Sequence, residues 1–384
     1  MSGARRVVGR DPATRRVLEV TVEDSVIAHV RPVAGSDDGG LPWICPGLID
    51  LQVNGYHGHD VNGADVTADE VVELTRALAR AGTTSYAPTI VTAAEADIFR
   101  SLRAITQARA RDEHTQAAIP FVHVEGPHIS PVDGPRGVHP AAEIRPPDVE
   151  EFRRWQQAAE GLVGIVTLSP HHAGAVPYTE ALTRAGVVVA IGHTHATPDE
   201  VRAVVDAGAR LSTHLGNGAH ATITRHPNYI WTQLADNRLT ATFIADGHHL
   251  PGDTLTAMVR AKGLERSVLV SDSVALAGLP PGEYVTPVGG AVILSADGRL
   301  AEAGTPYLAG AARSLTDGTA EICRLTGLGL GDALRLATAN PGRFVPGRGR
   351  LAPGAPADLL LFDHADGDGS LRLRQVVAGG RVLE

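Results

Sequence analysis

Cysteine is nearly absent: Cys45 and Cys323 stand far apart in 384 residues, without a partner motif. That excludes a disulfide framework and points to reduced, packed thiols, as in the cytosol. A long uncharged apolar run is missing, so no segment is expected to span a bilayer. The opening Met1 to Arg6 leads into no apolar core of a signal peptide, and none is expected. Neither charge sign dominates any stretch. The net charge of -9 is spread along the chain, which gives nucleic acid no basic surface to bind. No G-x-G-x-x-G or Walker sequence follows the first strand, which argues against a doubly wound dinucleotide or nucleotide fold. The 43 glycines and 25 prolines are scattered, so they mark tight loops rather than a disordered tract.

The length and a hydrophobic content of 43% allow one large α/β domain and a smaller one. Both ends read as short strands: Arg16 to Val20, Ser25 to Val30, Ala357 to Asp363 and Arg374 to Val382, with a loop at Gly35 to Gly40. They are expected to join in one small β-sandwich domain, residues 1–45 and 346–384, because chain termini often lie close together. Residues 46–345 repeat a βα theme. Strands are predicted over Leu48 to Val53, Thr83 to Pro88, Ile119 to Val124, Leu162 to Leu168, Gly186 to Ile191, Ala209 to Thr213, Thr240 to Ala245 and Ser267 to Ser271. Capping boxes at Thr67 to Glu70 and Thr197 to Glu200 open two of the helices between them. Eight strands separated by crossovers predict a (β/α)8, TIM-like barrel in the α/β class.

In such a barrel the C-terminal strand ends converge on one pocket. Here they carry ligating side chains: Gln52, Asn54, His57 and His59 after strand 1, Glu125 after strand 3, and His193 and His195 after strand 5. His214 and Asn217 follow strand 6, Asp246, His248 and His249 follow strand 7, and Asp272 follows strand 8. One carboxylate with two imidazoles suits a divalent ion such as zinc, iron or manganese. A carboxylate at the last strand is then free for proton transfer.

This ordered series resembles the amidohydrolase superfamily and, within it, the N-acetylglucosamine-6-phosphate deacetylase family. The likeness runs through Pro46 to Asp50, His123 to Pro127, Gly137 to His139, Gly192 to Thr194, Thr213 to Leu215, Ala245 to His249, Ser271-Asp272, Gly304-Thr305, Leu308 to Gly310, Ala339 to Pro341 and Ala357-Asp358. The resemblance implies a metal held by Glu125, His193 and His214, with Asp272 as general base and acid. It implies His139 as the imidazole that polarises the amide carbonyl. It also places Asn217, Gly218, Arg225, His249 and Leu308 against the substrate. Many superfamily members carry H-x-H after strand 1, where this chain has Gln52-Val53-Asn54. The expectation is therefore one divalent metal per subunit, zinc first, with a second ion at His57 or His59 left open.

The reaction so implied is hydrolysis of the acetamide of an N-acetylamino sugar phosphate by a cytoplasmic enzyme. In the family, the arginine matching Arg225 reaches the neighbouring subunit, which implies a homodimer. The rim departs from the family: N-A-M reads Asn217-Gly218-Ala219, and Gly-Arg-Glu reads Thr224-Arg225-His226. The alternative reading is therefore an amidohydrolase acting on another N-acyl amine or cyclic amide without phosphate. A non-catalytic scaffold is the reading from another class; retention of all three ligands and the base argues against it.

Overall fold

The computed structural model describes residues 4–33, 40–286, 290–305, 307–365 and 370–383. Its centre is an eight-stranded parallel sheet whose strands neighbour one another in chain order. They are β1 (Leu48–Val53), β2 (Thr83–Val91), β3 (Val122–Glu125), β4 (Val163–Leu168), β5 (Val188–Ile191), β6 (Leu211–Ser212), β7 (Thr240–Ile244) and β8 (Ser267–Val270). Every predicted strand is present; their ends shift by up to three residues. The ends β8 and β1 meet through the Asp272 N–H on the Gln52 carbonyl (3.0 Å) and the Asn54 N–H on the Ser273 carbonyl (2.9 Å). Below them the buried Asp50 carboxylate accepts the Ser271 N–H at 3.2 and 3.3 Å. The result is a nearly closed barrel.

Alternation of side chains along the strands makes two apolar layers. Ile49, Leu51, Ile165, Ala190, Leu211, Val268 and Val270 pack together in one cluster. Their neighbours Val166, Val189, Ile191 and Leu269 belong to the larger cluster shared with the helices, including Val201, Val204 and Val205. Those three valines lie on the helix Pro198–Asp206, which opens on the complete predicted capping box. Thr197 accepts the Glu200 N–H, and Glu200 accepts the Thr197 N–H at 2.7 Å. At Thr67 only half of the predicted box forms among the described residues. Thr67 accepts the Glu70 N–H (3.3 Å), while the Glu70 carboxylate turns to His59 at 3.8 Å.

The two chain ends meet in one hydrogen-bonded sheet of seven strands. Its order is Arg381–Leu383, Arg372–Ala378, Leu359–Asp363, Trp43–Pro46, Arg5–Arg10, Val17–Glu23 and Val26–Pro32. Val7, Val20, Ile27, Ile44, Leu359 and Val377 form its own core. Apart from Gly40, the loop read at Gly35 to Gly40 lies outside the described residues. One element was not anticipated. A three-stranded antiparallel sheet, Gly282–Thr286, Gly290–Leu294 and Leu300–Glu302, is inserted after β8 around Val292, Leu294 and Leu300. Among the described residues no helix is long and apolar enough to cross a membrane.

Candidate active site

Glu125 is the last residue of β3, while His193, His214 and Asp272 each sit two residues past β5, β6 and β8. These last three turn the chain sharply, with φ of +47°, +27° and +49°. Such angles are uncommon outside glycine and persist only where neighbouring bonds hold them. Here the His193 carbonyl accepts the Ser130 N–H (2.9 Å), the His214 N–H donates to Thr242 Oγ1 (2.7 Å), and the Asp272 N–H is bound by Gln52.

The turns bring three side chains to one buried point. Glu125 Oε1 lies 3.0 Å from His214 Nε2 and 3.4 Å from His193 Nε2, and the two imidazole nitrogens are 3.1 Å apart. His193 Nδ1 donates to the Pro135 carbonyl at 2.8 Å, which fixes the ring with Nε2 turned toward Glu125. Two imidazole nitrogens at this distance share at most one proton, and a carboxylate oxygen completes the set. Three convergent donors, one oxygen and two nitrogens, fit a divalent metal ion.

Electrostatics agree with that reading. Burial alone would raise the Glu125 carboxyl, but hydrogen bonds and charge from His193 and His214 hold it well below the usual range. Burial would lower His214, yet its bond to Glu125 carries it up to about 9. The Asp272 carboxyl is pushed up to about 6 by burial and by the negative charge of Glu125, against the pull of His214 and a hydrogen bond from Asn54. Burial, reinforced by His193, takes His139 down to about 3 and so keeps it neutral. The His139 ring meets His193 edge-on at 4.4 Å, and its Nδ1 lies 2.9 Å from Thr92 Oγ1.

The remaining expected residues are placed unevenly. The Asn217 N–H donates to the His214 carbonyl (2.9 Å), and its buried side-chain nitrogen has no partner among the described residues. Gly218, at φ +54°, lies directly against the His193 ring. His249 Nδ1 is held by Asp246 Oδ2 at 2.7 Å. Leu308 is half-buried and bridges to Ala301 of the inserted sheet. Arg225 is exposed, and its side chain makes no hydrogen bond or ion pair among the described residues. His57 and His59 flank a turn between two-residue strands, outside the Glu125, His193 and His214 group. His195 bonds Ser130 and lies at a tilt against the His171 ring, also outside that group. Sequence reasoning missed Thr92, Pro135 and Thr242, which touch site residues from 28 to 58 positions away in the chain. No local pattern marks such partners.

Comparison with known proteins gives a family. Residues 43–383 match the family model described as the amidohydrolase family. N-acetylgalactosamine-6-phosphate deacetylase of Escherichia coli O157:H7 is 31% identical over 95% of this chain and 94% of its own length. N-acetylglucosamine-6-phosphate deacetylase of Bacillus subtilis is 30% identical over 83% and 80%. A mutant of the Mycobacterium smegmatis N-acetyl-D-glucosamine-6-phosphate deacetylase, solved with N-acetyl-D-glucosamine-6-phosphate, superposes with a TM-score of 0.86 at 27% identity. That match covers 98% of this chain and 99% of the other. The chain belongs to the amidohydrolase family and, within it, to the N-acetylglucosamine-6-phosphate deacetylases.

Proposed function

We propose that this protein hydrolyses the acetamide of an N-acetylamino sugar phosphate, taking N-acetylglucosamine-6-phosphate to glucosamine-6-phosphate and acetate. The observation that carries the reading is the buried Glu125, His193 and His214 donor set beside a carboxyl, Asp272, pushed up to about 6. Glu125, His193 and His214 would hold one divalent ion, zinc in our assignment. When bound, such an ion acts as a Lewis acid and lowers the pKa of water toward about 7.

The chain's own groups do the rest. Asp272 takes a proton from the attacking water and returns it to the amine nitrogen. That nitrogen is a poor leaving group until protonated. An acid whose pKa lies near the working pH suits both transfers. His139, neutral at that pH, donates from Nε2 to the developing oxyanion. For that, Thr92 must donate to Nδ1; its competing bond to the Glu125 carbonyl is long, at 3.5 Å. Asn217 and Gly218 line the approach, Leu308 the rim, and His249 and Arg225 bind the phosphate.

Arg225 is the part of this scheme that one chain does not complete. We propose a homodimer in which Arg225 serves the neighbouring site, with the barrel at residues 46–345 and the small β domain at 1–45 and 346–384. Its exposed loop supports this, and a sequence with only two cysteines, far apart and without a partner motif, supports a cytoplasmic setting. The same exposure is what favours the alternative substrate, an N-acyl amine or cyclic amide without phosphate. Arg225→Ala separates them. It should raise KM for a phosphorylated sugar and spare the unphosphorylated one, and equal effects on both would remove the phosphate role. The chemistry itself is tested by Asp272→Asn, which should keep the metal and lose turnover by about 10²–10⁴-fold. Near-normal turnover would contradict the assignment of Asp272.

A further inference from the structure

Gln52 on β1 and Asn54 just past its end carry two amides with a single residue between them, and each ends on a different carboxylate. Gln52 Nε2 donates to Glu125 Oε1 at 2.9 Å. Asn54 Nδ2 donates to Asp272 Oδ1 at 2.8 Å. Both amides are buried. Backbone bonds fix the spacing, because the Gln52 carbonyl accepts the Asp272 N–H and the Asn54 N–H donates to Ser273. The register of β1 against β2 shifts between Asp50 and Val53, the kind of irregularity that re-aims side chains beside a site.

The chemistry of the amide explains the choice. An ionised carboxylate only accepts hydrogen bonds, so each NH₂ must face its carboxylate; the reversed amide would oppose two oxygens. The Asn54 carbonyl oxygen is buried with no partner among the described residues, so its Asp272 contact is what sets the orientation of that amide. A lysine or arginine here would also orient a carboxylate, but its charge would compete with a cation for Glu125. A neutral donor orients without neutralising.

We propose that Gln52 and Asn54 are positioning residues with separate duties: Gln52 aims the metal-binding carboxylate Glu125, and Asn54 aims the proton-transferring carboxylate Asp272. The division rests on the proposed roles of Glu125 and Asp272 in deacetylation. It predicts a double dissociation between metal affinity and turnover.

The test compares Gln52→Met and Asn54→Leu, two near-isosteric changes that remove the donors. Zinc affinity is read by chelator competition, and kcat and KM are read at saturating zinc. Gln52→Met should weaken zinc binding about 10–100-fold and recover most of its kcat once saturated. Asn54→Leu should bind zinc as the parent does, lose about 10–100-fold in kcat and keep its KM. Equal zinc affinity in both variants, or unimpaired kcat in Asn54→Leu, would overturn the division. If either variant fails to fold, Gln52→Asn, shorter by one methylene, and Asn54→Ala carry the same readings. The zinc-affinity reading of the Gln52 arm needs no substrate. Normal turnover by Asp272→Asn would instead strike the parent assignment, and the two failures are told apart.

Discussion

Gly218 shows how narrowly the site is built at the scale of one residue. It sits at φ +54°, and a Cβ there would stand 2.7 Å from His193 Nδ1, the atom that bonds Pro135. Gly218→Ala therefore strains the backbone and displaces the His193 imidazole, a proposed metal ligand, together. It should cost about 1 kcal/mol or more in stability and weaken metal affinity about 10-fold. Thermal melts of the metal-free protein and a metal titration would read the two effects, and an unchanged affinity would show that His193 does not depend on this contact. The strand ends offered Glu125, His193 and His214 among many polar residues, and only the family resemblance singled out these three, which the fold brings together at one buried point. Their supports were not legible in the sequence. Thr92, Pro135 and Thr242 reach the site only through the closure of the barrel. Asp246 was visible in the motif, but its hold on His249 depends on a turn that the pattern does not specify. Arg225 was named by resemblance, and nothing in its immediate sequence says whether its side chain points home or outward.

At the scale of elements, the seam between β8 and β1 adds the Asp50 carboxyl to a few backbone bonds just past the strand ends, where the other pairs have a longer ladder. Burial raises the Asp50 carboxyl from 3.8 to about 7 against the hydrogen bonds from Gln52 and Ser271 that lower it. A raised carboxyl pKa means the folded chain binds this proton more tightly than the unfolded one. Its stabilising contribution is present below the unfolded value and is lost as pH rises toward 7. The melting temperature of the parent relative to Asp50→Asn should therefore fall between pH 4.5 and 7.5 and level off above that. A difference independent of pH would contradict the raised pKa. A second element test uses the helix Pro198–Asp206, whose cap Thr197 lies four residues after His193. Thr197→Ala removes its cap and should cost about 1 kcal/mol, with metal affinity unchanged. Loss of affinity in that variant would mean that the helix start also sets His193. The barrel strands were readable because they are compact apolar runs between turn signals. The inserted sheet was not, since its first strand, Gly282–Thr286, alternates only between half-buried and exposed positions. The half-formed box at Thr67 has a similar lesson. The spacing offered Glu70 as a cap, and His59, brought near by folding, took its carboxylate.

For the whole molecule, the three proposed metal ligands follow strands separated along the chain, so a bound ion would tie β3, β5 and β6 together. Metal removal should lower the melting temperature and reloading should restore it. The stabilisation grows as RT ln(1 + [L]/Kd), or about 2.7 kcal/mol at a hundredfold excess over Kd. An identical melt with and without metal would argue against this site. One seven-stranded sheet draws strands from both ends of the chain, and its Trp43–Pro46 strand leads directly into β1. The fold, the metal ligands and Asp272 form one account, centred on deacetylation of an amino sugar phosphate with one ion. The measurement that tests it most directly is amine release from N-acetylglucosamine-6-phosphate and from unphosphorylated N-acetylglucosamine, with protein of known metal content. The account predicts turnover of the phosphate ester at one metal per chain, with strong preference over the parent sugar. Equal rates on both sugars, or no release from either with one metal bound, would contradict it.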